Sequence, residues 1–263
     1  MLQEKLKRLE EILKDMDRFI VAYSGGVDST FLIAVSRKIV GKENLLAVIA
    51  KTEVNSEEEV EEAKKLCGAL DINHKIAEYS LLEKSDFSSN PFNRCYFCKK
   101  ILIEKLMKIA EEGNFKWIAD GTNAEDSKDI RYGLIALEES GIRSPLKEAG
   151  FNKEEIRYLS KKMKLPTWNK PSNACLASRI PFGVPITFES IKRIEEGEKI
   201  LKKIGFKVVR LRDHFPIARI EVDDFKKILS DNIRKEIIKE LKGLGYKFIS
   251  VDLEGYRCGS FYR

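Results

Sequence analysis

The chain has 263 residues, 43% of them hydrophobic, so it can form two domains with a sizeable core. No uninterrupted apolar run approaches the roughly 20 residues that span a membrane, and the charged, amphipathic N-terminus does not resemble a secretion signal. A net charge of +6, from 48 basic and 42 acidic residues, suits an anionic small substrate and does not demand RNA. We expect a cytoplasmic protein with no membrane partner, and we do not expect a nucleic-acid partner.

A glycine-rich turn between a buried strand (19–23) and an amphipathic helix is the first candidate site. The turn reads Ser24-Gly25-Gly26-Val27-Asp28-Ser29. Its glycines let the backbone approach a phosphate, and the helix N-terminus presents N–H groups to an anion. The two serine hydroxyls are further donors, and the aspartate can hold magnesium. The pattern therefore predicts a nucleotide site, with a purely structural turn as the alternative.

This turn lacks the Gly-Lys-Ser/Thr ending of a Walker loop. It resembles instead the PP-loop of the ATP pyrophosphatase superfamily. The resemblance implies that the loop binds the pyrophosphate of ATP together with Mg²⁺. The α-phosphate is then open to attack, and the substrate becomes adenylated. Asp28 is accordingly a predicted catalytic as well as cofactor-binding residue.

Strands alternate with helices in the first part of the chain, which predicts an α/β fold with a parallel sheet. Further strands are predicted at 45–50, 75–77 and 117–119. The PP-loop resemblance implies the adenine nucleotide α-hydrolase-like form of this fold, with helices on both faces. Ligands bind at the carboxyl ends of such strands. The residues that follow these ends are predicted to bind ATP: Thr52, Gly121, Asn123 and Asp126.

A proline-rich stretch divides the chain. We predict a PP-loop domain at 1–168, an ordered linker at 169–186 that carries Cys175, and a smaller α+β domain at 187–263. The last domain, expected to bind substrate and support oligomers, has an α-β-β-α-β pattern. Its predicted elements are a helix at 188–203, strands at 206–212 and 217–222, helical stretches at 224–242 and a strand at 246–253.

Five cysteines in a chain expected in the cytoplasm indicate thiols, metal binding or catalysis rather than disulfides. Cys95 and Cys98 form a C-x-x-C pair, whose spacing suits zinc, an iron–sulfur cluster or a redox dithiol. Cys175 lies in an irregular stretch. Cys67 falls within a helical pattern and is predicted to be a buried structural thiol. No role is assigned to Cys258.

Several segments together resemble the LarE family over nearly the whole chain. Besides the PP-loop they are Arg94–Lys99, Asp120–Asn123, Arg143–Leu146, Lys170–Arg179 and Ala218–Glu221. The resemblance implies an ATP-dependent sulfur transferase of nickel-pincer nucleotide cofactor synthesis. It adenylates a carboxylate of pyridinium-3,5-biscarboxylic acid mononucleotide, and sulfur then displaces AMP to leave a thiocarboxylate. The resemblance also implies a homo-oligomer.

LarE proteins are of two kinds, which differ in their sulfur source. In one, a single cysteine gives up its sulfur; in the other, three cysteines hold a [4Fe-4S] cluster with an additional exchangeable sulfide. The presence of Cys95, Cys98 and Cys175 matches the second kind. Three thiolates leave one iron without a protein ligand, which can bind that sulfide. The resemblance thus makes these cysteines both metal ligands and catalytic residues.

Arginines are the candidates for binding the nucleotide substrate, since a guanidinium group binds phosphate or carboxylate through two parallel hydrogen bonds. Arg179 follows Cys175 closely, and the family resemblance adds Ser178. Arg210 and Arg212 alternate along a predicted strand and so share one face. The family has Arg-Val-Arg here, where this chain has Arg-Leu-Arg. Ordinary surface arginines are the alternative.

Three other functions compete with this one. A PP-loop tRNA thiolase can use the same cluster chemistry, but it predicts an RNA-binding domain or a dense basic stripe, and neither is evident in the sequence. An amidotransferase or synthetase that makes NAD or GMP does not need the three cysteines. A non-catalytic nucleotide-binding module would hold zinc in place of iron and sulfide.

Overall fold

The computed structural model describes residues 2–126, 132–171 and 174–257, which form two compact units. The first unit contains the described residues of 1–81 and 93–173, and the second those of 82–92 and 174–263. Cys258 lies outside the described residues. Among the helices that are described, none has both the length and the apolar character that a bilayer crossing requires.

A four-stranded parallel sheet organises the first unit. Its strands are β1 (Phe19–Ala22), β2 (Leu45–Lys51), β3 (Asn73–Glu78) and β4 (Trp117–Ala119). They pair in the order β3-β2-β1-β4, so their carboxyl ends meet at one edge. The helices of this unit are α1 (Leu2–Met16), α2 (Val27–Val40), α3 (Glu57–Ala69), α5 (Arg94–Glu112), α6 (Tyr132–Ser140), α7 (Pro145–Glu148) and α8 (Lys153–Lys162).

Strand β1 divides its side chains between two apolar layers. Phe19 and Val21 belong to a core cluster with residues of α1, α2, α3 and α8. Ile20 belongs to a second cluster with Leu106 and Ile109 of α5. All three β1 residues are fully buried because helices cover both faces of the parallel sheet. The predicted α/β fold with helices on both faces is confirmed.

The second unit is smaller and has a mixed sheet. Its strands are β5 (Val209–His214), β6 (Ile217–Val222) and β7 (Phe248–Val251). Strand β5 pairs antiparallel with β6, and β7 pairs parallel with β6. The helices are α4 (Ser85–Ser88), a short 3-10 helix (Leu176–Arg179), α9 (Phe188–Lys203), α10 (Phe225–Ile228) and α11 (Asp231–Gly243). From α9 onward, this is the predicted α-β-β-α-β order.

Strand β5 begins three residues later than the sequence predicts. Helix α9 closes with a turn in which the Phe206 N–H donates to the Leu201 carbonyl at 3.2 Å. Gly205 in that turn has φ +103°, a conformation that suits glycine. Phe206 therefore belongs to the helix ending, and the sheet starts only after it.

Residues 82–92 belong to the second unit, although they lie far in the chain from its other residues. The buried side chain of Asn90 donates to the Pro181 carbonyl at 2.8 Å and to the Val184 carbonyl at 2.9 Å. The Asn90 carbonyl in turn accepts from the Gly183 N–H at 2.9 Å. One asparagine thus links two segments about ninety residues apart in the chain.

Candidate functional site

The phosphate loop lies where the sequence predicts it, between β1 and α2. Helix α2 begins at Val27, and its N-cap Gly26 provides no side-chain cap. The hydroxyl groups of Ser24 and Ser29 lie 3.1 Å apart across the loop. Uncapped first-turn N–H groups beside two hydroxyls form a suitable site for an anion.

Close backbone packing shapes this loop. Gly25 has φ +69°, and a Cβ there would lie 3.2 Å from the Cβ of Ala63 on α3. Behind the loop, the Tyr23 hydroxyl lies 3.2 Å from the Thr30 hydroxyl oxygen. Because φ is positive and Ala63 is close, a side chain at position 25 would be strained and would press on α3, which favours glycine.

A second loop, after β4, meets the phosphate loop. A Cβ on Gly121 would lie 2.9 Å from the backbone nitrogen of Ser29. The Asn123 side chain approaches Asp28 at 3.5 Å, and its backbone N–H donates to Asp126 at 3.2 Å. The structure thus brings together the predicted residues of both loops in the first unit.

Asp28 has one oxygen engaged and one available. Its Oδ2 accepts from Lys153 Nζ at 2.5 Å. Its Oδ1 is buried and has no hydrogen-bond partner among the described residues. Burial raises the pKa of this carboxyl, and Lys153 offsets that effect only in part. An unsatisfied carboxylate oxygen beside a phosphate loop fits a magnesium ligand, so these residues fit the Mg²⁺ and ATP of the prediction.

Lys153 is a site residue that no motif in the sequence identifies. It is the first residue of α8, just after the N-cap Asn152, which forms a capping box with Glu155. A lysine there opposes the helix dipole. That local mismatch is the sequence signal that could have revealed a role outside the helix.

Thr52 follows β2 at the same edge of the sheet. Its hydroxyl donates to the Asn55 side chain at 2.7 Å, and its N–H donates to the same oxygen at 3.2 Å. Thr52 therefore shapes the turn that leads to Ser56, the N-cap of α3. Its predicted contact with adenine stays a prediction.

Cys95 and Cys98 lie in the first two turns of α5, both half-buried. Three residues apart, they share one side of the helix. Burial raises the pKa of Tyr79, with smaller contributions from Cys98 and Glu53, so Cys98 lies near the tyrosine after β3. By contrast, Cys67 is fully buried within α3, where burial raises its pKa to about 12, as suits a structural thiol.

The third predicted metal ligand, Cys175, belongs to the second unit and is half-buried. Within either unit, the described residues contain no group of three or more His, Cys, Asp or Glu side chains that could hold a metal ion. Neither unit by itself therefore fits the predicted three-cysteine cluster. The thiolate set is divided between Cys95 and Cys98 in one unit and Cys175 in the other.

The predicted substrate arginines form a buried cluster with two glutamates. Arg179 pairs with Glu198 through two hydrogen bonds, at 2.9 and 3.0 Å. Arg212 pairs in the same way with Glu221, at 2.9 and 2.7 Å, and also donates to the Ser178 carbonyl at 2.8 Å. Arg179 also donates to the Ser178 hydroxyl oxygen at 2.9 Å, so hydrogen bonds link three of the four predicted substrate residues.

Arg210 lies in the same cluster. Its guanidinium group stands 4.9 Å from the ring centre of Tyr256. Burial, followed by the charge of Arg179, lowers the pKa of Arg210. Burial and a neighbouring cation both disfavour the charge of Arg210, so binding of an anionic ligand beside it would be favourable.

Both glutamates were missed from the sequence, and only Glu198 carries a signal there. Glu198 falls on the apolar stripe of α9, four residues after Ile194 and three before Leu201. Glu221 alternates with Ile220 and Val222 along β6, as a solvent-facing residue would, so only the structure shows that it is fully buried. A buried carboxylate needs a cationic partner, so acids at such positions point to neighbouring arginines.

Comparison with known proteins identifies the family. A family model for NAD synthase matches residues 2–126. The pyridinium-3,5-bisthiocarboxylic acid mononucleotide synthase of Lactiplantibacillus plantarum is 34% identical over 263 residues, covering 98% of this chain and 94% of that protein. The chain belongs to the LarE family. An uncharacterised Synechocystis protein, 35% identical over 265 residues, covers 100% of this LarE-family chain and is itself covered to 98%.

Solved structures support the fold of this LarE-family protein. NMN synthetase from Francisella tularensis matches with a TM-score of 0.53, covering 66% of this chain and 76% of that one. At 17% identity the likeness concerns the fold alone. Family membership makes the chain an ATP-dependent PP-loop enzyme, and ATP with Mg²⁺ is the typical ligand of that family.

Changing Asp28→Asn should separate stability from ligand binding. Because burial raises the pKa of Asp28, its ionised form is disfavoured in the folded protein. The neutral amide should therefore leave the melting temperature unchanged or higher. Wild-type protein should gain about 2.7 kcal/mol at 100-fold excess of Mg-ATP over Kd, and the variant should lose most of this gain in thermal-shift measurements.

The matched control is Asp71→Asn, which removes an exposed carboxylate that pairs with Arg37 and Lys42. This variant should keep the full Mg-ATP shift. A wild-type shift in the Asp28 variant would show that Asp28 does not hold the metal.

Proposed function

We propose that this protein is an ATP-dependent sulfur transferase that converts a carboxylate of pyridinium-3,5-biscarboxylic acid mononucleotide to a thiocarboxylate, in nickel-pincer cofactor synthesis. The observation that carries the proposal is the full-length similarity to the synthase of L. plantarum, which spans both units. The family model for NAD synthase, by contrast, matches only residues 2–126 and so supports the nucleotide site alone.

In the first step, the phosphate loop holds the pyrophosphate of ATP through the N–H groups that begin α2 and the hydroxyls of Ser24 and Ser29. Asp28 Oδ1 holds Mg²⁺, and Lys153 offsets negative charge beside it. A substrate carboxylate oxygen attacks the α-phosphorus. The bond to the β-phosphate oxygen breaks, pyrophosphate leaves and an acyl-adenylate remains.

In the second step, a sulfide lone pair attacks the acyl carbon. The carbon–oxygen bond to AMP breaks, and the thiocarboxylate and AMP are released without any change of oxidation state. When bound, a [4Fe-4S] cluster supplies the exchangeable sulfide. We propose that Cys95, Cys98 and Cys175 hold it.

The buried arginine cluster supports an anionic substrate. Arg179, Arg210 and Arg212 are all buried, and burial together with the charge of Arg179 lowers the pKa of Arg210, so positive charge is concentrated here. The glutamate pairs occupy the guanidinium groups of Arg179 and Arg212. Arg210 is the proposed contact for the substrate phosphate or carboxylate, because an anion there would compensate a cation whose charged form burial disfavours. Arg179 and Arg212 donate to the carbonyls of Cys175 and Ser178 and so position that turn.

Each of the changes Cys95→Ala, Cys98→Ala and Cys175→Ala should abolish sulfur transfer, because each removes one cluster ligand. Adenylation should stay measurable, since the ATP site lies on other residues. The measurements are pyrophosphate and AMP release, thiocarboxylate formation by mass spectrometry, and anaerobic iron and sulfide quantitation. The mononucleotide should yield product, whereas a tRNA substrate should not.

Cys67→Ala is the control, because that thiol is buried in α3 and should be nearly silent in sulfur transfer. ADP in place of AMP would contradict adenylation. Loss of one sulfur atom from Cys175 after turnover would show a sacrificial cysteine and would rule out the cluster. Bound zinc in place of iron and sulfide would favour a structural metal.

Arg210→Lys and Arg212→Lys should have different effects. Arg210→Lys should weaken mononucleotide binding while the stability of the fold stays nearly constant. Lysine keeps the positive charge but cannot form the two parallel hydrogen bonds of a guanidinium group. Arg212→Lys should also lower the melting temperature, because it disrupts the buried pair with Glu221. Calorimetric titration of both ligands should find ATP affinity unchanged, and equal losses for ATP and mononucleotide would contradict these roles.

We further infer that the protein self-associates through the second unit. Ile217 and Phe248 are register partners on β6 and β7 and are 40% and 63% exposed, and nearby Phe215 is 56% exposed. Such an apolar patch marks an interface. Phe248→Lys should lower the mass found by sedimentation velocity, whereas Leu229→Lys should not. A monomeric wild-type protein would contradict this inference.

A further inference from the structure

Lys170 contacts the phosphate loop, a placement that the proposed chemistry has not used. Its Nζ lies 3.4 Å from the carbonyl oxygen of Gly25 and 2.8 Å from Glu62 of α3. The lysine side chain is 25% exposed and the glutamate side chain 51%. A cation therefore stands at the edge of the loop, held by a carboxylate that water can readily solvate.

The position of Lys170 is set by its backbone. Arg157 on α8 donates from two guanidinium nitrogens to the carbonyls of Trp168 and Lys170, both at 2.9 Å. The Lys170 N–H donates to the Thr167 carbonyl, also at 2.9 Å. This anchoring restricts the backbone from which the lysine reaches the loop.

The loop needs a cation from elsewhere. Residues 24–29 contain glycines, serines, a valine and an aspartate, but no lysine or arginine. Lys153 stands nearby but pairs with Asp28, the proposed magnesium ligand, whereas Lys170 pairs with the half-exposed Glu62. Bound pyrophosphate brings several negative charges to this loop, and the ammonium group of Lys170 already contacts the loop backbone.

We propose that Lys170 binds the pyrophosphate group of the nucleotide, and that Glu62 holds the lysine when the loop is empty. The exchange is favourable because a half-exposed ion pair is weak, whereas a charge-assisted hydrogen bond to phosphate is strong. The inference rests on the adenylation step of the proposed function and is independent of how sulfur is delivered.

The test uses the full chain with magnesium pyrophosphate, ATP and AMP as separate ligands in calorimetric titrations. Lys170→Met should weaken pyrophosphate and ATP binding about tenfold or more and leave AMP binding nearly unchanged. Lys170→Arg should restore most of the pyrophosphate affinity, since it keeps the charge and the donors.

Two further variants separate ligand binding from structural support. Lys64→Met removes a neighbouring ion pair on α3, at 2.7 Å from Glu61, and should change nothing. Glu62→Gln releases Lys170 and should leave pyrophosphate binding equal or tighter. If Glu62→Gln weakens pyrophosphate binding as much as Lys170→Met, the ion pair only supports the loop and the proposal is wrong.

The outcomes also separate this proposal from the adenylation on which it rests. Wild-type pyrophosphate affinity in the Lys170→Met variant would overturn the assignment of Lys170 alone. A wild-type protein that binds neither ATP nor pyrophosphate would overturn adenylation and the assignment together. If the wild type binds pyrophosphate but fails to transfer sulfur, the proposed sulfur chemistry is wrong and the assignment of Lys170 is unaffected.

Discussion

Close backbone approach around the N-terminus of α2 is the constraint on which the nucleotide site depends. Gly25 packs on α3 in a left-handed conformation, and Gly121 packs on the backbone of Ser29. A Cβ at either position would push apart elements that β1 and β4 bring to one edge of the sheet. Because of this packing, the α2 N–H groups, Asp28 and Asn123 lie close together at that edge.

The charges around this site are arranged in pairs that a ligand can replace. Lys153 offsets Asp28 while leaving its Oδ1 buried and unsatisfied, which favours a divalent cation over an empty site. Lys170 is offset by Glu62 in the same manner. Partly exposed pairs are weak enough to be exchanged, so a site built from them can bind and then release a highly charged product such as pyrophosphate.

The second unit uses charge differently, because its ion pairs are buried. Removing one partner of a buried ion pair costs about 3–5 kcal/mol. The pairs of Arg179 with Glu198 and of Arg212 with Glu221 are therefore structural and are not exchanged for a ligand. They hold the short turn after Cys175 against β5 through the Ser178 carbonyl. This arrangement fixes the position of the turn that follows Cys175.

Local patterns in the sequence were sufficient for the parallel sheet, the phosphate loop and the helix at 188–203, because each depends on neighbouring residues and on hydrophobic period. The sequence also singled out Ser178, Arg179 and Arg212, which the structure joins in one cluster. It could not reveal Lys153 opposite Asp28, Glu198 and Glu221 opposite the arginines, or Asn90 joining 82–92 to the second unit. Each is a contact between segments distant in the chain, and only the tertiary structure decides which polar groups meet when water is excluded.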